Sequence, residues 1–164
     1  MHKYWIFLTL LVTVVGCKPE QEEIKSAPSN ALAFEISELP RTKPLRGKAL
    51  QQTNQWPEFK SFDNSFARIY EASGREEYTL VVEELLEQFE ILGGSTAPAA
   101  LETEQISARF NVIRTYLLKV QALLNYRIDS KEATLELIEA YSNAIEQCNI
   151  LVNNTLDTKT LFDE

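Results

Sequence analysis

Histidine is nearly missing from this chain: its 164 residues hold one, His2. A Ser-His-Asp triad, a Cys-His pair, an imidazole metal ligand and the Glu-x-x-His signature of di-iron bundles all require that side chain in the body of the protein. Cysteine is almost as scarce, with Cys17 and Cys148 the only two. That excludes covalent haem through C-x-x-C-H. Long apolar runs are lacking too. The longest, from Tyr4 to Val15, spans 12 residues, well short of the roughly 20 that a helix needs to cross a bilayer. Cations are outnumbered, 16 Lys and Arg against 24 Asp and Glu, for a net charge of −8. Phosphate backbones are bound by Lys and Arg that release counterions, so no nucleic-acid partner is expected. Carboxylates, Tyr, Lys and Ser remain for chemistry, and they form no visible constellation. No catalytic residue, metal ligand or cofactor is assigned, and a non-enzymatic role is expected.

The N-terminus carries an address. A short polar start with Lys3 precedes the apolar run, which ends Val14-Val15-Gly16-Cys17. A charged start, a short apolar stretch and a small residue at the break are the parts of a secretory signal peptide. The last four residues resemble the lipobox of bacterial lipoproteins, with Val in place of the commoner Leu at its first position. The resemblance covers the first tenth of the chain. It implies cleavage between Gly16 and Cys17, a diacylglycerol on the Cys17 sulfur and an acylated new amino group. An ordinary cleaved leader would leave Cys17 unmodified; its place at the very end of the run favours lipidation. Several acyl chains at about 0.8 kcal/mol per buried methylene would hold the product in its membrane. Lys18 stands where an inner-membrane retention signal would have Asp, which leans towards the outer membrane, facing the periplasm or the surface. The run Lys18-Pro19-Glu20-Gln21-Glu22-Glu23 is similar to the export tag of some surface lipoproteins, but the usual reading of such a charge run, a solvated acidic linker start, is favoured.

Cleavage before Cys17 leaves 148 residues with 15 basic and 24 acidic side chains, a net charge of −9 and no histidine. With Cys17 acylated, Cys148 is the one remaining thiol, so no internal disulfide can form even in an oxidising compartment.

The organisation expected is a signal peptide at 1–16, a lipidated Cys and tether at 17–55 and a helical bundle domain at 56–164. The tether holds Pro19, Pro28, Pro40 and Pro44 and a basic stretch of Arg41, Lys43, Arg46 and Lys48. As a flexible coil it would average roughly 35 Å end to end; its cations are read as solubilising the linker, in preference to contacts with anionic headgroups or polysaccharide. Its one apolar patch runs from Ala31 to Leu39.

From Pro57 onward the apolar residues fall at alternating spacings of three and four. The four series are Phe59, Phe62, Phe66, Ile69 and Ser73; Tyr78, Val82, Leu85, Phe89 and Leu92; Ile106, Phe110, Ile113, Leu117, Val120 and Leu124; and Ile138, Tyr141, Ile145, Cys148 and Val152. These are seams of amphipathic helices. Gly74 and Gly93 suit left-handed C-terminal caps, Pro57 and Pro98 suit first turns, and Asp129 with Glu132 has capping-box spacing. Helices are predicted at about 57–73, 76–92, 98–128 and 130–156, joined by short connections. The expected fold is all-α, an up-down bundle of about four helices.

Unequal lengths carry an implication. The first two helices would be about 25 Å long and the last two roughly 40–46 Å, so the turn near 128–130 would project beyond its cover. Leu123, Leu124, Ile128, Leu135, Leu137 and Ile138 lie there; since monomers seldom leave such a patch open, the Leu32–Leu39 segment is expected to fold back over them, and the alternative is a candidate interface for a partner protein or a second copy. Carboxylates crowd the helices at Glu83, Glu84, Glu87 and Glu90 and at Glu132, Glu136, Glu139 and Glu146; a solvated face with surface ion pairs accounts for them better than a cation site. Cys148 reads as a buried, inert thiol. Altogether the sequence implies a non-enzymatic interaction or structural module, held to the membrane by lipid and binding an envelope protein partner. The alternative is a carrier of a small apolar ligand within the bundle. Intact-mass analysis of the native product should give a chain that begins at Cys17 and carries acyl groups; a chain still beginning at Met1, or a bare thiol at Cys17, would overturn the anchor.

Overall fold

The computed structural model describes residues 31–154; the lipobox, Cys17 and the Lys18–Glu23 run lie outside them. The described residues form five α-helices and no strand. They are α1 (Gly47–Asn54), α2 (Pro57–Ala67), α3 (Arg75–Gly93), α4 (Glu104–Asn125) and α5 (Lys131–Asn153), with 3-10 turns at Ile36–Glu38 and Arg68–Tyr70. The fold is an all-α helical bundle. Helices α2 to α5 follow one another in space, each packed on the next, and α1 lies between α5 and α2. The seams build the core: every residue of the four series is buried except half-buried Phe110 and exposed Ser73.

Several boundaries differ from the expectation, each for a local reason. Pro57 does open its helix, but Pro98 does not. The Leu101 N–H donates to the Pro98 carbonyl at 2.7 Å, closing a turn that buries Leu101. Helix α4 starts only after Thr103, whose hydroxyl accepts from the Ile106 N–H at 3.3 Å. A Thr that can satisfy an orphan N–H outcompetes the proline as a start signal. Gly74 and Gly93 do not form left-handed caps: Gly74 is extended before α3, and Gly93 stays within the helix. The left-handed residues among those described are Gly47 and Arg127. Arg127 ends α4 in a Schellman motif, with the Ile128 N–H on the Leu123 carbonyl at 2.9 Å and the Arg127 N–H on Leu124 at 3.0 Å. Asp129 accepts from the Lys131 N–H at 2.8 Å, but the cap position itself is Ser130.

Residues 31–46, the arm, and α1 after it are packed onto the bundle, so that beyond the expected docking of the 31–39 patch, residues 40–55 are not the flexible tether expected. Phe34 and Leu39 are buried at the end that carries the α2–α3 and α4–α5 turns, with the Phe34 ring edge-on to Tyr78 at 6.0 Å. Glu38 meets Lys131 at 3.0 Å, and the Arg75 Nε donates to the Ala31 carbonyl at 3.3 Å. Residues 40–46 then run extended along α5 towards its C-terminal end. Their backbone has no sheet to pair with, so α5 supplies the partners. The Ser142 hydroxyl accepts from the Lys43 N–H at 3.3 Å. Asn149 accepts from the Arg46 N–H at 2.9 Å and donates to the Pro44 carbonyl at 3.0 Å. Asn153 accepts from the Lys48 N–H at 2.8 Å and donates to the Arg46 carbonyl at 3.0 Å. Helix α1 has no cap of its own at Arg46, and Asn153 of α5 provides it. Gly47 completes the fit, since a Cβ there would come within 2.8 Å of the Asn153 Oδ1 and its φ is +55°.

Replacing the buried Asn149 with Ala strands an N–H and a carbonyl of the arm. Losing such partners costs about 1–3 kcal/mol, so urea unfolding of Asn149→Ala should shift to lower denaturant by that amount. Asn54→Ala, on the exposed face of α1, should shift it little. Equal midpoints for the two variants would contradict the docking.

Candidate functional site

The proposed interface near 128–130 divides on inspection. Leu124, Leu137 and Ile138 are 3 %, 0 % and 1 % exposed and belong to the core. Leu123 is half-buried against it. Ile128 and Leu135 remain at the surface, at 53 % and 36 %, and Tyr126 beside them is 78 % exposed. The overhang is smaller than expected because α4 and α5 hold 22 and 23 residues against 19 in α3. Tyr78 at the start of α3 reaches across to α5, where its hydroxyl meets the Thr134 hydroxyl at 2.8 Å with both groups buried. Burial pushes the Tyr78 phenol above its ordinary value. The Ala31–Leu39 segment caps the same end, leaving Tyr126 and Ile128 outside its cover.

The carboxylates fall where a solvated face puts them. Glu84 pairs with Arg68 and accepts from the Ser65 hydroxyl, Glu90 pairs with Arg114, Glu136 with Lys119 and Glu146 with Arg46. Among the described residues no group of three or more His, Cys, Asp or Glu is placed to hold a metal ion. Of the tether cations, Arg46 is in that ion pair, and the Arg41 guanidinium lies 4.4 Å from the Tyr70 ring centre. Both are docked on the protein rather than presented on a free linker.

Cys148 is fully buried in α5, and burial pushes its thiol up to about 12. A thiol that stays protonated is a poor nucleophile, so it acts as a core residue. The aromatic side chains of α2 form a connected cluster. Phe66 stacks on Tyr141 with ring centres 3.9 Å apart, and Phe62 packs against Phe89 and Tyr141. The Tyr141 hydroxyl donates to Asp63, and burial together with that carboxylate raises the phenol well above its ordinary value.

A cleft of about 480 Å³ opens at the opposite end of the bundle, beneath the α3–α4 loop. Trp56 and half-buried Phe110 line it as near-parallel rings 6.0 Å apart, and Phe59 stacks beneath Trp56 at 5.6 Å. The Trp56 indole N–H donates to the Ser95 hydroxyl at 2.7 Å, which itself donates to the Leu92 carbonyl at 2.8 Å. That leaves the rings as the apolar surface of the cleft. Phe110 belongs to a core seam by its spacing; the cleft comes from the 94–103 loop, whose path periodicity does not encode. No helix among the described residues is long and apolar enough to cross a membrane. Comparison with known families, curated proteins and solved structures finds no match.

The divided interface gives a paired expectation. Leu124→Ser removes a buried side chain from the core and should lower stability by about 2–5 kcal/mol. Leu135→Ser, at a partly open position, should stay within roughly 0.5 kcal/mol, the usual range for surface substitutions. Thermal melts of both variants check this, and similar losses would place Leu135 in the core.

Proposed function

We propose that this chain is a lipid-anchored protein of the bacterial cell envelope, favouring the outer membrane, whose helical body is a non-enzymatic interaction module. The observation that carries this reading is Cys17 directly after an apolar run too short to span a bilayer. Lipid on Cys17 would supply the membrane attachment that the described helices are too polar or too short to give. Thirteen residues separate Cys17 from Ala31, and at full extension they reach about 45 Å. The body would therefore work close to its membrane, with the arm end nearest the anchor. The exposed Tyr126 and Ile128 at that end are the accessible part of the interface through which an envelope protein would bind. An aromatic residue beside an aliphatic one suits a contact centre.

A second reading, a carrier of a small apolar ligand, is favoured by the aromatic lining of the cleft at Trp56 and Phe110. Native purification from gently solubilised envelope separates the two. A protein partner retained in fixed stoichiometry, and released by Tyr126→Ser with Ile128→Ser, supports the module. Co-purified lipid lost on Phe110→Ala supports the carrier. Recovery of the chain alone, with neither, overturns both.

A further inference from the structure

We propose that the cavity between the arm and α2 is a binding site for a small zwitterion, a molecule that carries an anionic oxygen group and a primary ammonium. The cavity, about 450 Å³, is bounded by Arg41 and Thr42 of the arm, by Asp63 and Phe66 of α2, by Tyr70 and Glu71 after it, and by Tyr141 of α5. A volume of that order is usual for small-ligand pockets.

Its charges are arranged in an unusual way. One guanidinium and two carboxylates line the same space, yet Arg41, Asp63 and Glu71 take part in no ion pair among the described residues. The neighbouring arginines do find carboxylates, Arg46 at Glu146 and Arg68 at Glu84. Separate contacts hold the cavity charges apart. Arg41 is placed over the Tyr70 ring, and the Tyr70 hydroxyl donates at 2.8 Å to the Pro40 carbonyl, fixing the residue before it. Asp63 is held from the other side by the hydroxyl of buried Tyr141. The one hydrogen bond accepted from Tyr141 leaves Asp63 further acceptor capacity, since a carboxylate has about four lone-pair sites.

A guanidinium and two carboxylates that line one cavity without pairing are complementary to a ligand that bears both charges. The fork of Arg41 suits a carboxylate or phosphate, and Asp63 with Glu71 suits an ammonium. Phe66 and the ring of Tyr141, stacked on each other, add an apolar wall for whatever joins the two groups. A free amino acid and the headgroup of an ethanolamine phospholipid share this chemistry. The cavity lies within the described helical body and does not depend on the anchor at Cys17.

Titration calorimetry on the purified full-length chain in detergent tests the site with four probes: L-phenylalanine, glycerophosphoethanolamine, 3-phenylpropanoate and phenethylamine. One of the two zwitterions should bind saturably at one per chain, phenylalanine indicating a free amino acid and glycerophosphoethanolamine a lipid headgroup. The two singly charged probes should bind about tenfold more weakly or worse, as expected for loss of a charged hydrogen bond. Arg41→Gln and Asp63→Asn should each weaken the zwitterion by a similar factor. Arg41 is exposed, so its variant should melt with the unaltered chain and keeps the test decisive should Asp63→Asn fail to fold. Absence of saturation by either zwitterion, equal affinity for a singly charged probe, or full affinity in a normally folded Arg41→Gln would overturn the site.

Discussion

The hydrogen bonds that Asn149 and Asn153 make to the backbone of residues 44–48 are the constraint on which the rest of this structure leans. An extended segment with two prolines, Pro40 and Pro44, cannot join a helix and has no sheet to enter. Where they are half-buried against α5, as at the Arg46 N–H and the Pro44 carbonyl, its backbone groups would cost free energy unless something paired them. Two asparagines one turn apart on α5 do so with both donor and acceptor atoms. Once the segment is held, Phe34, Leu39 and Ala49 can be buried, and α1 can fill the space between α5 and α2.

This arrangement explains why α5 is buried so widely. Twelve of its 23 residues are buried, more than one apolar stripe provides. Its seam of Ile138, Tyr141, Ile145, Cys148 and Val152 faces the helices, while Ser142, Asn149 and Asn153 face the arm. The helix has two dry faces, one apolar and one carrying hydrogen-bonding groups. Polar residues can be buried there because each is paired; the same side chains without the arm would read as an ordinary wet surface.

The arm also decides where charge is held. Arg41 and Arg46 would be mobile cations on a free linker. Docked, Arg46 closes an ion pair with Glu146, and Arg41 is placed on Tyr70 at the edge of a cavity that α2 and α5 build. The aromatic cluster below, with Phe66 stacked on Tyr141 and the Tyr141 hydroxyl bound to Asp63, forms a second wall of the same cavity. Neither wall is formed by neighbours in sequence.

The sequence by itself determined the class of fold and the four helical seams of the core, because a helix of 3.6 residues per turn stamps its buried face onto residue spacing. Phe59, Tyr78, Ile113 and Ile145 could be placed inward without coordinates, and so could the inert character of Cys148. Helix ends were less legible. Pro98 suited a first turn, but α4 begins after Thr103 because Leu101 is buried in the turn between them. The arm, its partners on α5, the division of the 128–130 residues into core and surface, and both cavities were decided only by the tertiary structure. Asn149 and Asn153 lie about 105 residues from the backbone they satisfy, and a hydrogen bond across that separation leaves no periodic mark on either segment. The spacing of residues records which way a helix faces, but not what comes to lie against it.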